Sequence, residues 1–351
     1  MSDVFTHPWL GGLFGDTEIQ ALWSPEAQLA HYAAFEMALS QALEAAGRVP
    51  QGHGAAAAAT LEASVIDPAS LAEDVAHDGL PIPALVRRWR AADPAHKDAL
   101  HTGATSQDVM DTALALTLRA VSSLLARRLR TLDVTLGNLD LRFGDRPLMG
   151  RTRMQAALPI RVADRLSAWR ASLAAQAHRL DASRAGVERL QLGGAVGTRH
   201  AFGDQGQAIA DAMAAQLGLS ASDHAWHSDR GGVAHYAACL AGLSGTLGKM
   251  GQDIALMAQQ GLDDIRIAGG GGSSVMPHKS NPVLAELLVT LARLNAGSLS
   301  GMQHALIHEQ ERSGAAWMLE WALLPQMTLA TGRAVTAAQA LCDQIEDMGG
   351  A

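Results

Sequence analysis

A serine, a lysine and an asparagine crowd into one glycine-rich stretch, Gly269-Gly270-Gly271-Gly272-Ser273-Ser274-Val275-Met276-Pro277-His278-Lys279-Ser280-Asn281-Pro282. A serine hydroxyl is a poor base, so a serine that moves protons must be activated by its surroundings. A mobile loop does this when it closes, because it removes water and brings backbone N–H groups and a cation to the alkoxide. Gly269 to Gly272 supply the mobility, Lys279 follows Ser273 at short range, and Pro277 and Pro282 stiffen the far end. The bland alternative is a Gly/Ser linker, but linkers do not continue into Met-Pro-His-Lys-Ser-Asn-Pro.

Other segments carry polar groups in suggestive order. His101-Thr102-Gly103-Ala104-Thr105-Ser106-Gln107-Asp108 precedes a long apolar-periodic run. Its hydroxyls and the N–H groups of a helix start could hold a carboxylate, although an ordinary N-cap by Ser106 or Asp108 explains the same residues. His77-Asp78 reads by itself as a surface or capping pair. His308-Glu309-Gln310-Glu311-Arg312 reads by itself as a solvated helix end before Gly314.

The elements that must position these groups are helices. Alternating strand patterns are nearly absent, whereas helical periodicity is widespread. Ser24-Pro25-Glu26 predicts an N-cap with proline in the first turn of a helix running to Gly47, with Leu29, Tyr32, Ala33, Phe35, Glu36, Leu39 and Leu43 on its apolar face. Shorter helices are expected over Gly54–Ala63 and Pro83–Ala92. Beyond Asp108 the segments lengthen, to Val109–Phe143, Pro159–Leu190, Gly232–Gly261, Pro282–Glu311 and Ala315–Met348. Helices of about 30 residues are roughly 45 Å long and imply an elongated bundle. The expected division is an amino-terminal helical unit over 1–100 and a long five-helix bundle over 101–351 that carries loop 268–282. Within Gly232–Gly261, Gly242, Gly245, Gly248 and Gly251 recur; glycine is costly inside a helix, so the row predicts close helix–helix approach.

Composition sets the outer bounds. Hydrophobic residues make up 48% of the 351 and charged ones 18%, with much alanine, which suggests area buried between subunits. A net charge of −8 argues against a nucleic-acid surface and leaves small anionic substrates open. Cys239 and Cys342 alone build neither a disulfide framework nor a metal site. The start, Met1 to Pro8, has no signal-peptide pattern, and no long uncharged apolar run predicts a membrane span, so the expected compartment is the cytoplasm.

The stretch Gly-Ser-Ser-Val-Met-Pro-His-Lys-Ser-Asn-Pro resembles the signature of the fumarase/aspartase superfamily, which includes argininosuccinate and adenylosuccinate lyases. The resemblance implies an all-α fold with a central long-helix bundle and a homotetramer whose active sites are shared between subunits. It makes Ser273 the proton-transferring base, with Ser274 and Met276 supporting it, and Thr105 and Ser106 substrate-binding. Arg151-Thr152-Arg153-Met154-Gln155-Ala156-Ala157-Leu158-Pro159 is similar to another family segment. There the lyases place an acid/base histidine, and the cycloisomerase relatives typically a tryptophan, where this chain has Arg153. Arginine cannot donate a proton near neutral pH but suits a carboxylate clamp. Glu286 matches the carboxylate that supports the lyase histidine, so an Arg153–Glu286 contact is expected. His77 falls where the lyases carry a second histidine.

His308-Glu309-Gln310-Glu311-Arg312 with Gly314-Ala315-Ala316-Trp317 and Glu320-Trp321, Gln107, and Gln191 to Thr198 are similar to the cycloisomerase branch of the superfamily rather than to adenylosuccinate lyases. Many relatives extend into a further carboxy-terminal helical domain, expected here to be absent or truncated. That branch implies lactonisation of a small tricarboxylate in aromatic-acid breakdown. A substrate carboxylate adds to a conjugated double bond and a proton reaches the carbon α to another carboxylate. The enolate-like carboxylate between these steps needs concentrated positive charge and N–H donors. Lys279, Arg153, Asn281, Arg312, Thr105, Ser106, Gln155, His77 and His101 are the candidates, and the resemblance implies no metal or organic cofactor. A fumarate-releasing lyase and a crystallin-like structural protein are the competing readings.

Overall fold

The computed structural model describes residues 3–272, 275–276 and 279–350. Two short helices, α1 (Gly11–Phe14) and α2 (Thr17–Leu22), lead into α3 (Pro25–Ala45), α4 (His53–Ala63), α5 (Ala72–Asp78) and α6 (Ile82–Ala92). The long α7 (Ser106–Phe143) follows, then the strands β1 (Pro147–Thr152) and β2 (Gln155–Arg161), α8 (Val162–Ser183) and α9 (Gly206–Leu217). The chain ends with α10 (Gly231–Met257), β3 (Ile265–Ile267), α11 (Val283–His304), α12 (Ala315–Asp343) and β4 (Ile345–Met348).

Local chemistry explains the boundaries. Ser24 Oγ accepts from Ala27 N at 3.2 Å with Pro25 in the first turn of α3, as the sequence predicts. At the start of α7, Asp108 Oδ2 accepts from Thr105 N at 3.0 Å, the return half of a capping box. One apolar core joins α3, α4, α6 and α9 to the first turns of α7, through Phe35, Leu39, Leu85, Trp89, Val109 and Ile209. A second runs through α7, α8, α10, α11 and α12, the long bundle, through Leu125, Leu132, Trp169, Leu243, Leu288 and Val335.

The glycine row in α10 does what its spacing suggests at most of its positions. A Cβ on Gly248 would stand 2.5 Å from Ala292 Cβ, and one on Gly251 would stand 2.7 Å from Ala285 O; both neighbours lie on α11. Gly242 packs on Gln176 of α8, whereas Gly245 has nothing within 4 Å.

Several expectations need correction. Residues 147–161 form an antiparallel hairpin, with Thr152 opposite Gln155, where the sequence predicts a helix from Pro159. Pro159 sits in β2 opposite Met149, and the helix starts only at Val162, where Asp164 Oδ2 accepts from Arg161 N at 2.8 Å. α10 stops at Met257, and α12 stops at Asp343 because Ile345–Met348 pairs with β3 instead. α11 ends at His304, so residues 305–314 are free to cross back over the start of α7. By length and hydropathy α7 and α11 could each cross a membrane, against the sequence expectation, but 67% of the apolar window of α7 is buried inside the bundle. Only 28% of the α11 window is buried.

Candidate active site

The N-terminus of α7 gathers most of the polar chemistry. Asp108 is fully buried and accepts from Gly193 N at 2.7 Å, Gly194 N at 2.9 Å and His227 Nε2 at 2.8 Å. These bonds dock the loop Gln191–Thr198 against residues 101–108. The fit is close: Gly194 has φ 70°, and a Cβ there would stand 2.7 Å from Gly103 O. Arg312 is brought to the same place by the segment after α11, where its Nε donates to Gln107 Oε1 at 3.1 Å and its Nη2 donates to Ala195 O at 3.1 Å. Gln107 Nε2 donates in turn to His227 O at 2.9 Å. Thr105, Ser106 and Arg312 therefore share one corner, with the side chain of the half-buried Ser106 making no hydrogen bond among the described residues.

His101 stands beside them with φ 55°, a left-handed conformation uncommon for a residue with a side chain. Its Nδ1 is 2.5 Å from Glu36 Oε1, and its N–H donates to Glu36 Oε2 at 2.9 Å. Burial opposes protonation of His101, but the charge and hydrogen bond of Glu36 outweigh it, and the imidazole pKa is raised above its ordinary value.

One turn further along α7 lies a second buried network. Arg230 spans Asp111, at 2.8 and 3.0 Å, and Glu320, at 2.9 and 2.5 Å, with all three side chains buried. Trp317 Nε1 donates to Asp111 Oδ1 at 3.2 Å, and His308 Nε2 is 3.8 Å from Glu320 Oε1. Burial works to raise the Glu320 pKa, yet Arg230 and His308 hold it below its ordinary value. This network ties α7, the start of α10 and α12 together one turn from Ser106, and its Asp111, Trp317 and Glu320 line a cavity.

The remaining predicted residues lie elsewhere. At about 1.5 Å per residue the 38-residue α7 is roughly 57 Å long, and the hairpin of β1 and β2 begins just past its far end. Arg153 and Met154 form the hairpin tip with φ 49° and 66°, and Arg153 and Gln155 are exposed. The glycine-rich stretch belongs to that far end too. Arg151 of the hairpin pairs with Asp264, Ala268 N donates to Gln344 O at 2.8 Å, and Gly271 and Asn281 exchange backbone bonds at 2.9 Å. Lys279, Asn281, Met276 and Glu286 belong there, whereas Ser273 and Ser274 lie outside the described residues. The expected Arg153–Glu286 contact is not made within the chain: both side chains are exposed and no ion pair joins them. His77 is 89% exposed and bonded to Asp78 at 2.8 Å, in the turn that Gly79 places beside Met318 of α12.

The chain thus presents one part of the expected site at each end of its bundle. Glu36 and His227 were not singled out by sequence, and Gln107 entered only as part of a resemblance, with no role. Glu36 had a visible signal, an acid among Tyr32, Phe35 and Leu39 on an otherwise apolar face. His227 gave none, and nothing local announced the bond of Gln107 to Arg312, because these partners are remote in sequence. Among the described residues no group of three or more His, Cys, Asp and Glu side chains is arranged to hold a metal ion.

Comparison with known proteins adds to this geometry. Residues 31–296 match the profile of a family described as lyase. The chain is 36% identical to a 3-carboxy-cis,cis-muconate cycloisomerase of Pseudomonas aeruginosa, over 99% of this chain and 77% of that protein. Among solved structures it superposes on the 3-carboxy-cis,cis-muconate lactonizing enzyme of Pseudomonas putida with a TM-score of 0.90 and 34% identity, covering 96% of this chain and 77% of the other. A fumarate lyase from Mesorhizobium sp. BNC1 gives a TM-score of 0.89 at 29% identity, over 95% and 76% of the two chains.

Proposed function

Since the chain belongs to the lyase family of the fumarase/aspartase superfamily, we propose that it is a cycloisomerase that closes 3-carboxy-cis,cis-muconate to a carboxymuconolactone in protocatechuate (β-ketoadipate) breakdown. The observation that carries this reading is Arg312. It reaches the helix start at Ser106 on neutral acceptors, Gln107 Oε1 and the Gly194 and Ala195 carbonyls, and forms no ion pair among the described residues. A guanidinium held this way keeps its charge for a substrate carboxylate.

The chemistry then runs as follows. One carboxylate oxygen of the substrate adds to a double bond conjugated with another carboxylate, forming the C–O bond of the lactone. The electron pair moves onto the acceptor carboxylate, which becomes a doubly charged enolate. Arg312, Lys279 and the donors near Thr105, Ser106, Gln155 and Asn281 stabilise that charge. Ser273 delivers a proton to the α-carbon and regains one from solvent, so each turnover takes up one proton as three carboxylates become two and an ester. Ring closure by a carboxylate needs no strong acid, which accords with arginine rather than histidine at position 153. Arg153 clamps a carboxylate.

The two ends of the bundle supply these groups to one another through association of identical chains, a homotetramer in the cytoplasm. Supporting this are the roughly 57 Å that separates the ends of the 38-residue α7 and the weakly buried apolar window of α11. A second reading, a lyase that releases fumarate, is favoured by the likeness to the Mesorhizobium enzyme. Ser273→Ala tests the proton-transfer role. Turnover of 3-carboxy-cis,cis-muconate should fall by about 10²- to 10⁴-fold with unchanged thermal unfolding, and a near wild-type rate would remove Ser273 from the mechanism.

A further inference from the structure

The contacts around Gln107 form a closed circuit. His227 Nε2 meets Asp108 at 2.8 Å, Asp108 accepts from Gly193 and Gly194, and the carbonyls of Gly194 and Ala195 accept from Arg312 at 3.5 and 3.1 Å. Arg312 donates to Gln107 Oε1, and Gln107 Nε2 donates back to His227 O at 2.9 Å. Gln107 is 0% exposed, so its amide has no water to exchange with and its orientation is set by the circuit. A carbonyl oxygen cannot donate and a guanidinium cannot accept, so the amide nitrogen must face His227 and the amide oxygen must face Arg312.

From this geometry we infer that Gln107 is a positioning residue for carboxylate recognition, one that fixes Arg312 through a neutral acceptor and so leaves its charge for the ligand. The inference rests on the reading of Arg312 as a substrate-binding cation. A glutamate at position 107 would reach the same guanidinium, though it would lose the donor that meets His227 O. A carboxylate there would form an ion pair with Arg312, spend its charge inside the protein and leave an acid beside the incoming anion. Glutamine keeps the bond and avoids the neutralisation. The guanidinium has five N–H groups, and the two on Nη1 make no hydrogen bond among the described residues. They leave Nη1 as the donor that can meet a carboxylate with a charge-assisted hydrogen bond.

The test compares Gln107→Glu and Gln107→Met in the full-length protein. Binding of propane-1,2,3-tricarboxylate is followed by calorimetry, beside KM and kcat for 3-carboxy-cis,cis-muconate and thermal unfolding. In Gln107→Glu the tricarboxylate Kd and the KM should rise by about tenfold or more, the loss expected for a hydrogen bond to a charged group, beside a lower unfolding temperature because a carboxylate oxygen replaces the N–H that meets His227 O. Gln107→Met, which removes the amide but adds no charge, should show a smaller rise of the same sign. Should the charged variant not fold, a rise in Kd for Gln107→Met at unchanged unfolding temperature supports the assignment and an unchanged Kd overturns it. Equal Kd values in both variants, or a loss confined to kcat and stability, would reduce Gln107 to a structural residue. A wild-type protein that neither binds the tricarboxylate nor turns over the muconate would instead overturn the function on which the inference stands.

Discussion

His101 shows how one buried partner can favour the charged form of a residue. Glu36 is fully buried, and the two share a 2.5 Å contact that keeps the imidazole protonated over a wider pH range than usual. The sign of the pH effect follows from linkage. A histidine whose folded pKa is raised stabilises the fold fully below its unfolded pKa, and that contribution is lost as pH rises through the folded pKa. Glu36→Gln should therefore lower the His101 pKa in an NMR titration and reduce stability more at mildly acidic pH than at alkaline pH. An unchanged titration would show that Glu36 does not govern His101. Residues of this kind were only half legible. Ser273, Lys279, Thr105 and Arg312 stand in contiguous strings whose order could be read as a candidate site. Gln107 stands in such a string too, but its bond to Arg312 across 205 residues of chain, like that of His227 to Asp108 across 119, is encoded by no local pattern.

The helices were the most legible elements, because their apolar period and their caps are local. Ser24-Pro25 and the glycines of α10 are examples. The hairpin was not legible. Tight two-residue turns of its kind announce themselves by Asn-Gly or Asp-Gly, since both central residues take positive φ. Here Arg153 and Met154 take φ 49° and 66° without glycine or asparagine, so the turn leaves no sequence signal. Left-handed conformations in such residues store strain of about 1–2 kcal/mol each, consistent with a tip kept for a function other than stability. The glycine row allows a sharper test of packing. Gly248→Ala should destabilise the protein by about 1–3 kcal/mol, because the added methyl meets Ala292 Cβ at 2.5 Å. Gly245→Ala, with open space around it, should be neutral or stabilising by up to about 1 kcal/mol. Chemical denaturation of the two variants reads the difference, and equal effects would mean that α10 and α11 are not in such close contact.

At the scale of the whole molecule, a long bundle carries Thr105, Ser106 and Arg312 at one end and Arg153, Lys279 and Asn281 at the other. A site that needs both sets must draw them from different copies. Ser273→Ala and Arg312→Ala chains, each inactive alone, should regain activity when unfolded and refolded together, reaching roughly a quarter of the wild-type rate for random mixing of subunits. Mixtures as inactive as their components would place both residues in a site made by one chain, or outside the site altogether.

The most direct measurement is the purified protein assayed on 3-carboxy-cis,cis-muconate beside adenylosuccinate, with absorbance and proton uptake followed together. The muconate should be consumed with one proton taken up per molecule, while adenylosuccinate stays intact. Cleavage of adenylosuccinate with no turnover of the muconate would contradict the cycloisomerase assignment and favour a fumarate-releasing lyase, and turnover of neither would contradict it outright.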